Sequence, residues 1–461
     1  MSPCDSTASA RVGERAVPVA FPLVTTDITP IRVGLLGIGT VGGGTFDVLS
    51  RNQAEIARRV GRPIVISRVA DLNTELAESI VQGRAEVTDD AVSVVTDPDI
   101  DIVVELIGGY GIAKDLTLKA IENGKHVVTA NKALLAVHGN EIFSAARAND
   151  VMVAFEAAVG GGIPIIKALR EGLVANRIDW VVGIINGTTN FILSEMRTRG
   201  VSFEEALADA QANGYAEADP TFDVEGIDAA HKLTLMCAMA FGVPVRFDEA
   251  YVEGVSAVEQ TDIRYAEELG HRVKLLGVTR RRDDGIELRV HPALVPEAAL
   301  LANVEGVMNA VVVNGDAVGQ TLHYGAGAGS HPTASAVIAD IVDVARLITV
   351  DPEHHVPHLA FRHDRMSDTP ILDIEDTVTR YYLRLRVADE PGVLADVTRI
   401  LADVGISIEA AVQRESGEDA ATVVLMTHES RERDVRAAIA AIEALDASRG
   451  RVVMIRVEKL D

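Results

Sequence analysis

From Ile31 to Glu156 the chain repeats one pattern, a short apolar run rich in β-branched residues followed by a stretch of helical period. The runs are IRVGLLG, IVISRVA, IDIVVELI, HVVTA and VMVAFE, separated by helical stretches at 40–59, 73–82, 112–122 and 139–149. Parallel strands need long crossover connections, and helical crossovers cover both faces of the sheet they join. The pattern therefore predicts an α/β fold: a doubly wound parallel sheet of Rossmann type over residues 30–155.

After Glu156 the period changes. Longer helices at 164–175, 203–213 and 224–242 and strands near 178–185, 271–279 and 286–291 predict a second, α+β domain over 156–320. Residues 321–350 are expected to return to the nucleotide domain. The segment 351–378, rich in Pro, His and Asp, reads as a linker. Residues 379–461 follow the order βαββαβ of a ferredoxin-like module. Residues 1–29 show neither period and read as a flexible leader without an assigned role.

Composition narrows the function. With 43 Lys+Arg against 68 Asp+Glu the formal charge is −25, which argues against a protein that binds nucleic acid by neutralising phosphates. No stretch offers the roughly 18 apolar residues of a membrane span, so neither nucleic acid nor membrane is an expected partner. The two cysteines, Cys4 and Cys237, make neither a disulfide framework nor a zinc site, which fits a reducing cytoplasm. Of the twelve histidines, His126, His231, His323 and His331 fall in no metal-binding motif and read as structural.

GLLGIGTVGGG places Gly37, Gly39 and Gly42 as G-x-G-x-x-G between the first strand and its helix, with Ile38, Thr40 and Val41 in the turn. The first glycine permits the tight turn, the second lets backbone approach a pyrophosphate, and the third lets helix pack on strand. Amides at the helix N-terminus supply the anion site. Asp71, ending the second strand, is placed to accept from adenosine ribose hydroxyls. Arg68 could instead favour a 2′-phosphate unless strand alternation turns it away, so the choice between NAD and NADP stays open.

A second cluster follows NGTTNFIL. The run NGYAEADPTFDVEGIDAAHKL holds Glu217, Asp219, Asp223, Glu225, Asp228 and Lys232, with Asp228 and Lys232 four apart on one helix face. On an exposed helix such a pair is an ordinary ion pair. Here the helix continues into LTLMCAMAF, so it is a core element, and buried ionisable groups need partners or a task. A lysine held near a carboxylate can move a proton at a carbonyl oxygen. Lys132, just past the strand HVVTA, lies on the carboxyl edge where open sheets of this kind bind ligands.

The segments GIGTVG, TANKALL, EAAVGGGIPII, NGTTNFIL, YAEADPTFDVEGIDAAHKL and HYGAGAGSHPTASAV resemble homoserine dehydrogenase in content and order, from Ile31 to about Leu347. The resemblance implies NAD(P)-dependent, reversible oxidation of L-homoserine to L-aspartate 4-semialdehyde, on the route to threonine, isoleucine and methionine. It implies that Lys232 is the proton donor and acceptor, with Asp228 beside it in the substrate and proton network, and that Lys132 contacts both substrate and nicotinamide. Glu217, Asp223 and Asp228 would bind substrate, and Gly214 and Gly327 cofactor. Glu156, Val159, Gly161 and Ile163 resemble the family's sodium loop. Members of that family often carry arginine where this chain has Ala70, which leaves NADP preference open.

The last module, with ADEPGVLADVTRILADVGISIEAAVQ, resembles an ACT domain, where Gly392 would let an amino acid approach the backbone. The implied effector is L-threonine and the implied assembly a homodimer or homotetramer; a dimerisation element without a ligand is the plainer alternative. Two rival functions fit these residues less well. Aspartate-semialdehyde dehydrogenase needs a cysteine nucleophile, which neither Cys4 in the leader nor Cys237 in an apolar helix supplies. A non-catalytic amino-acid sensor would leave the acid–amine cluster unused.

Overall fold

The computed structural model describes residues 29–415 and 420–460. The leader expected at 1–29 and Cys4 lie outside the described residues, except for Thr29. Six parallel strands form the first sheet: β1 (Ile31–Leu36), β2 (Ile64–Ala70), β3 (Glu86–Thr88), β4 (Ile102–Glu105), β5 (His126–Thr129) and β6 (Val153–Ala154). Their order is β3-β2-β1-β4-β5-β6, with strands added outward in one direction up to β3 and in the other from β4 onward, so the switch falls between β1 and β4. The apolar runs are buried on both faces, Ile31, Val33, Leu35, Ile102, Val104 and Val128 on one and Leu36, Val103 and Val127 on the other.

Three local readings change. β3 and the short helix Ala91–Val95 lie between the second and third expected strands. The helix expected at 139–149 begins at Lys132, where the Asn131 side chain accepts from Leu134 N–H. Its first turns bury Leu134, Leu135 and Ala136 together, so they show no polar face for a period to reveal. In the helix expected at 164–175, only Ile165–Lys167 is α-helical. Ala168–Gly172 widens into a π turn, and Leu173 N–H donates to Ala168 C=O at 2.8 Å.

The second sheet has eleven strands: β7 (Ile178–Ile184), β8 (Tyr251–Val252), β9 (His271–Arg281), β10 (Ile286–Pro296), β11 (Met308–Gly315), β12 (Gly319–Ala326), β13 (Val378–Val387), β14 (Ile408–Glu415), β15 (Ala421–Thr427), β16 (Ser430–Arg431) and β17 (Val453–Val457). Its main path runs β12-β11-β7-β9-β10-β17-β13-β15-β14, and β8 pairs with β10. The last four strands on that path belong to the C-terminal βαββαβ module. They join the rest because β17 pairs in parallel with β10, Ala293 with Arg456 and Leu294 with Val457. That junction covers an edge of β10 that would otherwise offer unpaired backbone groups. It leaves no local sequence pattern.

The helix Ser330–Leu347 returns to the first sheet and packs on Thr40–Arg51, the helix after the glycine loop. Ser330 Oγ donates to Thr40 C=O at 2.8 Å. The approach is close at Gly44, where an added methyl carbon would lie 2.4 Å from Ser330 Oγ and 2.8 Å from its carbonyl oxygen. At the neighbouring Gly43 the same methyl would meet nothing nearer than 3.4 Å. Gly44→Ala is expected to cost about 1–3 kcal/mol by overpacking. Gly43→Ala, in the same helix, is expected to be neutral or to gain up to about 1 kcal/mol from helix propensity. Urea melts of both variants check the pair.

Candidate active site

The glycine loop leaves the carboxyl end of β1 with Gly37 at φ +90°, a conformation that a side chain would strain. A Cβ there would meet Leu106 O at 2.7 Å, and one on Gly42 would meet Gly37 O at 2.0 Å. Gly39 differs: no atom lies within 4 Å of where its Cβ would be, so that stretch of backbone stands open to a ligand. Thr40, Val41 and Gly42 begin the helix whose N-terminal amides face the same opening. Crowding at two glycines and space at the third fit a bound pyrophosphate.

Asp71 lies beside this loop and is tied to it. Its Oδ2 accepts from Ile38 N–H at 2.7 Å and its Oδ1 from Asn73 N–H at 2.8 Å. Each oxygen keeps a lone pair for a further donor. Arg68 is turned to the other side of the strand, bonded to Asp97 at 3.1 Å and Glu86 at 3.0 Å.

Across the switch between β1 and β4, Glu105 ends β4 fully buried. Its oxygens accept from Ile107 N–H, Gly108 N–H and Thr129 Oγ1 at 2.9, 3.1 and 2.7 Å. Thr129 Oγ1 in turn accepts from Asn131 N–H, and Asn131 Nδ2 donates to Gly109 C=O at 2.8 Å. These bonds fix the turn from which Lys132 emerges at the first helical position.

Lys132 meets the second domain at Asp228, Nζ to Oδ1 at 3.3 Å. Lys232 Nζ donates to Asp228 Oδ2 at 2.6 Å and to Ile185 C=O at 2.8 Å. Asn186 Nδ2 donates to the same Oδ2 at 2.8 Å and to Asp223 Oδ1 at 2.7 Å, while its Oδ1 accepts from Thr189 N–H. One carboxylate thus gathers two amines and an amide from three stretches of chain. Burial opposes the charge on Asp228, but the Lys232 and Lys132 ammonium groups and their hydrogen bonds hold its carboxyl well below the usual range. Burial, and then the charge of Asp228, push Asp223 the other way.

Phe222 roofs the cluster, with its ring centre 5.9 Å from Lys132 Nζ. Beneath it His231 is fully buried between Phe222 and Phe247, at ring distances of 5.3 and 4.3 Å. Burial lowers His231 from 6.5 to about 4, so the ring is neutral at pH 7. Burial likewise pushes the Cys237 thiol up to about 12, which leaves it inert as a nucleophile.

Other expected residues lie apart from the cluster. Glu217 is exposed in the turn after Phe203–Ala212, and no contact joins its carboxylate to Asp228 or Lys232. Gly214, at φ +72°, lies in the same turn. Gly327 packs on the loop 156–163: a Cβ on Gly161 would meet its carbonyl carbon and oxygen at 2.5 Å. In that loop the Glu156 carboxylate accepts from Ile166 and Lys167 N–H, each at 2.8 Å. What Glu156, Val159, Gly161 and Ile163 can offer a cation is thus mainly carbonyl oxygen, which suits a hard monovalent ion. Asn186, Glu105 and Phe222 were not singled out by the sequence. The N-cap position of Asn186 before a helix was the one local signal.

Residues 37–156 match the model of the homoserine dehydrogenase NAD-binding domain, 164–342 that of homoserine dehydrogenase, and 381–447 that of the ACT domain. A homoserine dehydrogenase of Pseudomonas aeruginosa is 60% identical over 434 residues, covering 94% of this chain and 100% of its own. The chain belongs to the homoserine dehydrogenase family. A crystal structure of a homoserine dehydrogenase from Thiobacillus denitrificans, 63% identical, superposes with a TM-score of 0.91 over 94% of this chain and 99% of its own. A hyperthermophilic archaeal homoserine dehydrogenase in complex with NADPH, 26% identical, superposes with a TM-score of 0.59 over 68% of this chain and 98% of its own. The chain is therefore a nicotinamide-dependent oxidoreductase, and the sensor reading is set aside.

His231 gives this site a pH signature. Its folded value lies below its unfolded value, so between pH 6.5 and about 4 the unfolded chain takes up a proton that the native state refuses. Stability is therefore lost as pH falls through that window. His231→Leu removes the linkage, and its stability is expected to drop by roughly 2–4 kcal/mol less than wild type between pH 7 and 4. Urea unfolding across that range checks it, and equal pH dependence of the two proteins would contradict the assignment.

Proposed function

We propose that this protein interconverts L-homoserine and L-aspartate 4-semialdehyde with NAD(P), with Lys232 as the proton-transfer group. The observation that carries the proposal is the geometry at Asp228. An ammonium has three donors, and Lys232 spends two of them, on Asp228 and on Ile185 C=O. The third remains for a substrate oxygen. The nicotinamide, when bound, supplies or accepts the hydride at the substrate carbon. Toward homoserine, Lys232 donates its proton to the aldehyde oxygen as that carbon is reduced. Toward the semialdehyde, its neutral amine accepts the hydroxyl proton as the carbon is oxidised.

Around this step Asp228 orients both lysines, and Lys132 stands between substrate and nicotinamide. The Glu217 carboxylate, with no hydrogen bond or ion pair to the described residues, is free to take the substrate ammonium, and Asp223, tied to Asn186, adds a second carboxylate on the substrate side. Gly37 to Gly42, Asp71, Gly214 and Gly327 form the cofactor's bed. Asp71 favours a free 2′-hydroxyl and hence NAD, whereas the archaeal relative was solved with NADPH. A sodium ion on the carbonyls of the 156–163 loop would stiffen the support of Gly327.

In the ACT module Gly392, at φ +103°, opens the helix Val393–Asp403 with no atom within 4 Å of where its Cβ would be, room for the amino group or carboxylate of L-threonine. The outer edge strand β12 exposes Leu322 and Tyr324, which supports a homodimer or higher assembly. The buried free thiol of Cys237 suits the reducing cytoplasm.

Initial rates with homoserine and each cofactor, with and without threonine, test the activity and its regulation. Lys232→Ala is expected to lower kcat by about 10²–10⁴-fold while leaving cofactor affinity near the wild-type value. A variant that keeps more than about a hundredth of wild-type kcat would contradict general acid–base catalysis by this amine.

A further inference from the structure

Arg456 stands on β17, the final strand of the ACT module, 203 positions from Glu253, and its side chain is fully buried. Nε and Nη2 grip Glu432 at 2.7 and 2.6 Å, a bidentate pair within the module. The rest of the guanidinium crosses into the catalytic domain. Nη1 donates to Glu253 Oε2 at 2.8 Å, Nη2 reaches Tyr251 OH at 3.3 Å, and the charge lies 4.9 Å from the centre of the Tyr251 ring. Tyr251 OH also donates to Glu253 Oε2 at 2.9 Å.

The segment so gripped, β8 and residues 253–256, forms the floor under the reacting helix. Val255 N–H donates to Val224 C=O at 2.8 Å, and Ser256 Oγ to Glu225 Oε1 at 2.8 Å. Gly254 touches Val224 and Glu225 so closely that a Cβ would lie 2.5 Å from Val224 O. Gly226, at φ +81°, rests against Val252 and Val290, with 3.3 and 3.1 Å left for a methyl. It is the N-cap of Ile227–Phe241, the helix that carries Asp228 in its first turn. β8 has two residues and pairs only with β10, so its own ladder holds it weakly. The charge clamp centred on the buried Arg456 adds to that hold at Tyr251 and Glu253, with Arg436 also reaching Tyr251 OH at 3.3 Å.

We propose that Arg456 is a positioning residue for the reaction: by clamping Tyr251 and Glu253 it sets the height of residues 224–226, and through them the place of Asp228 and Asp223 in the substrate site. The ACT module is then a structural part of the substrate site as well as an appended sensor, and any change in the seating of β17 is felt first by homoserine. This rests on the proposed reaction. It concerns the substrate half of the site, because the glycine loop and Asp71 belong to the other sheet and touch none of these residues.

The test uses the full-length enzyme and separates the two substrates. Arg456→Met and Glu253→Gln are assayed with homoserine varied at saturating cofactor and with cofactor varied at saturating homoserine. The expected result is a homoserine KM raised about 3- to 30-fold in both variants, with cofactor KM within about twofold of wild type. The double variant should be no worse than Arg456→Met alone, since both changes break one link. Arg456→Lys, which keeps the charge, should recover part of the loss.

Should Arg456→Met fail to fold, Glu253→Gln decides, because Glu432 still pairs the arginine in it. An unchanged homoserine KM in folded variants, or a parallel rise for both substrates, would show that the network only glues the domains and would overturn the proposal. A wild-type enzyme without homoserine turnover would remove the proposed function, and this role with it.

Discussion

A carboxylate only 4% exposed does not stay ionised alone, and Asp228 is such a group. It is held by Lys232 and Lys132 from opposite sides and by the Asn186 amide, and those donors come from a helix core, from the mouth of the other sheet and from the cap of a third helix. Each partner would be costly to bury without the carboxylate, and the carboxylate without them. The site is therefore a joint between domains that closes only when all three elements are in register. The reacting amine is aimed as a consequence.

The two sheets divide the labour. The parallel sheet offers its carboxyl edge, where Asp71 is tied to the glycine loop of Gly37, Gly39 and Gly42 and where Glu105 braces the turn leading to Lys132. The larger sheet carries the helix of Asp228 and Lys232 on one face. The return helix Ser330–Leu347 packs on the glycine-loop helix through Gly44, so the segment that seats Gly327 on the loop 156–163 also holds the helix after the glycine loop.

How far this could be read beforehand depended on whether a feature is local. The parallel sheet was legible because buried parallel strands are continuous apolar runs, and the helix face of Asp228 and Lys232 because four residues make one turn. The start of the helix at Lys132 was not, since Leu134, Leu135 and Ala136 bury both sides of its first turns. Asn186 joins carboxylates 37 and 42 positions away, a relation no spacing rule contains. The seam between β10 and β17 likewise depends on two strands meeting from opposite ends of the fold. Glu217 was singled out with the cluster, yet its carboxylate is exposed and stands apart from it.

The most direct measurement is a crystal structure of the dead-end complex with homoserine and the reduced cofactor. The account places the homoserine hydroxyl within about 3.2 Å of Lys232 Nζ, on the donor direction left free by Asp228 and Ile185 C=O, with the nicotinamide over the same carbon. A hydroxyl bound elsewhere, with the Lys232 amine still turned from the substrate, would contradict it.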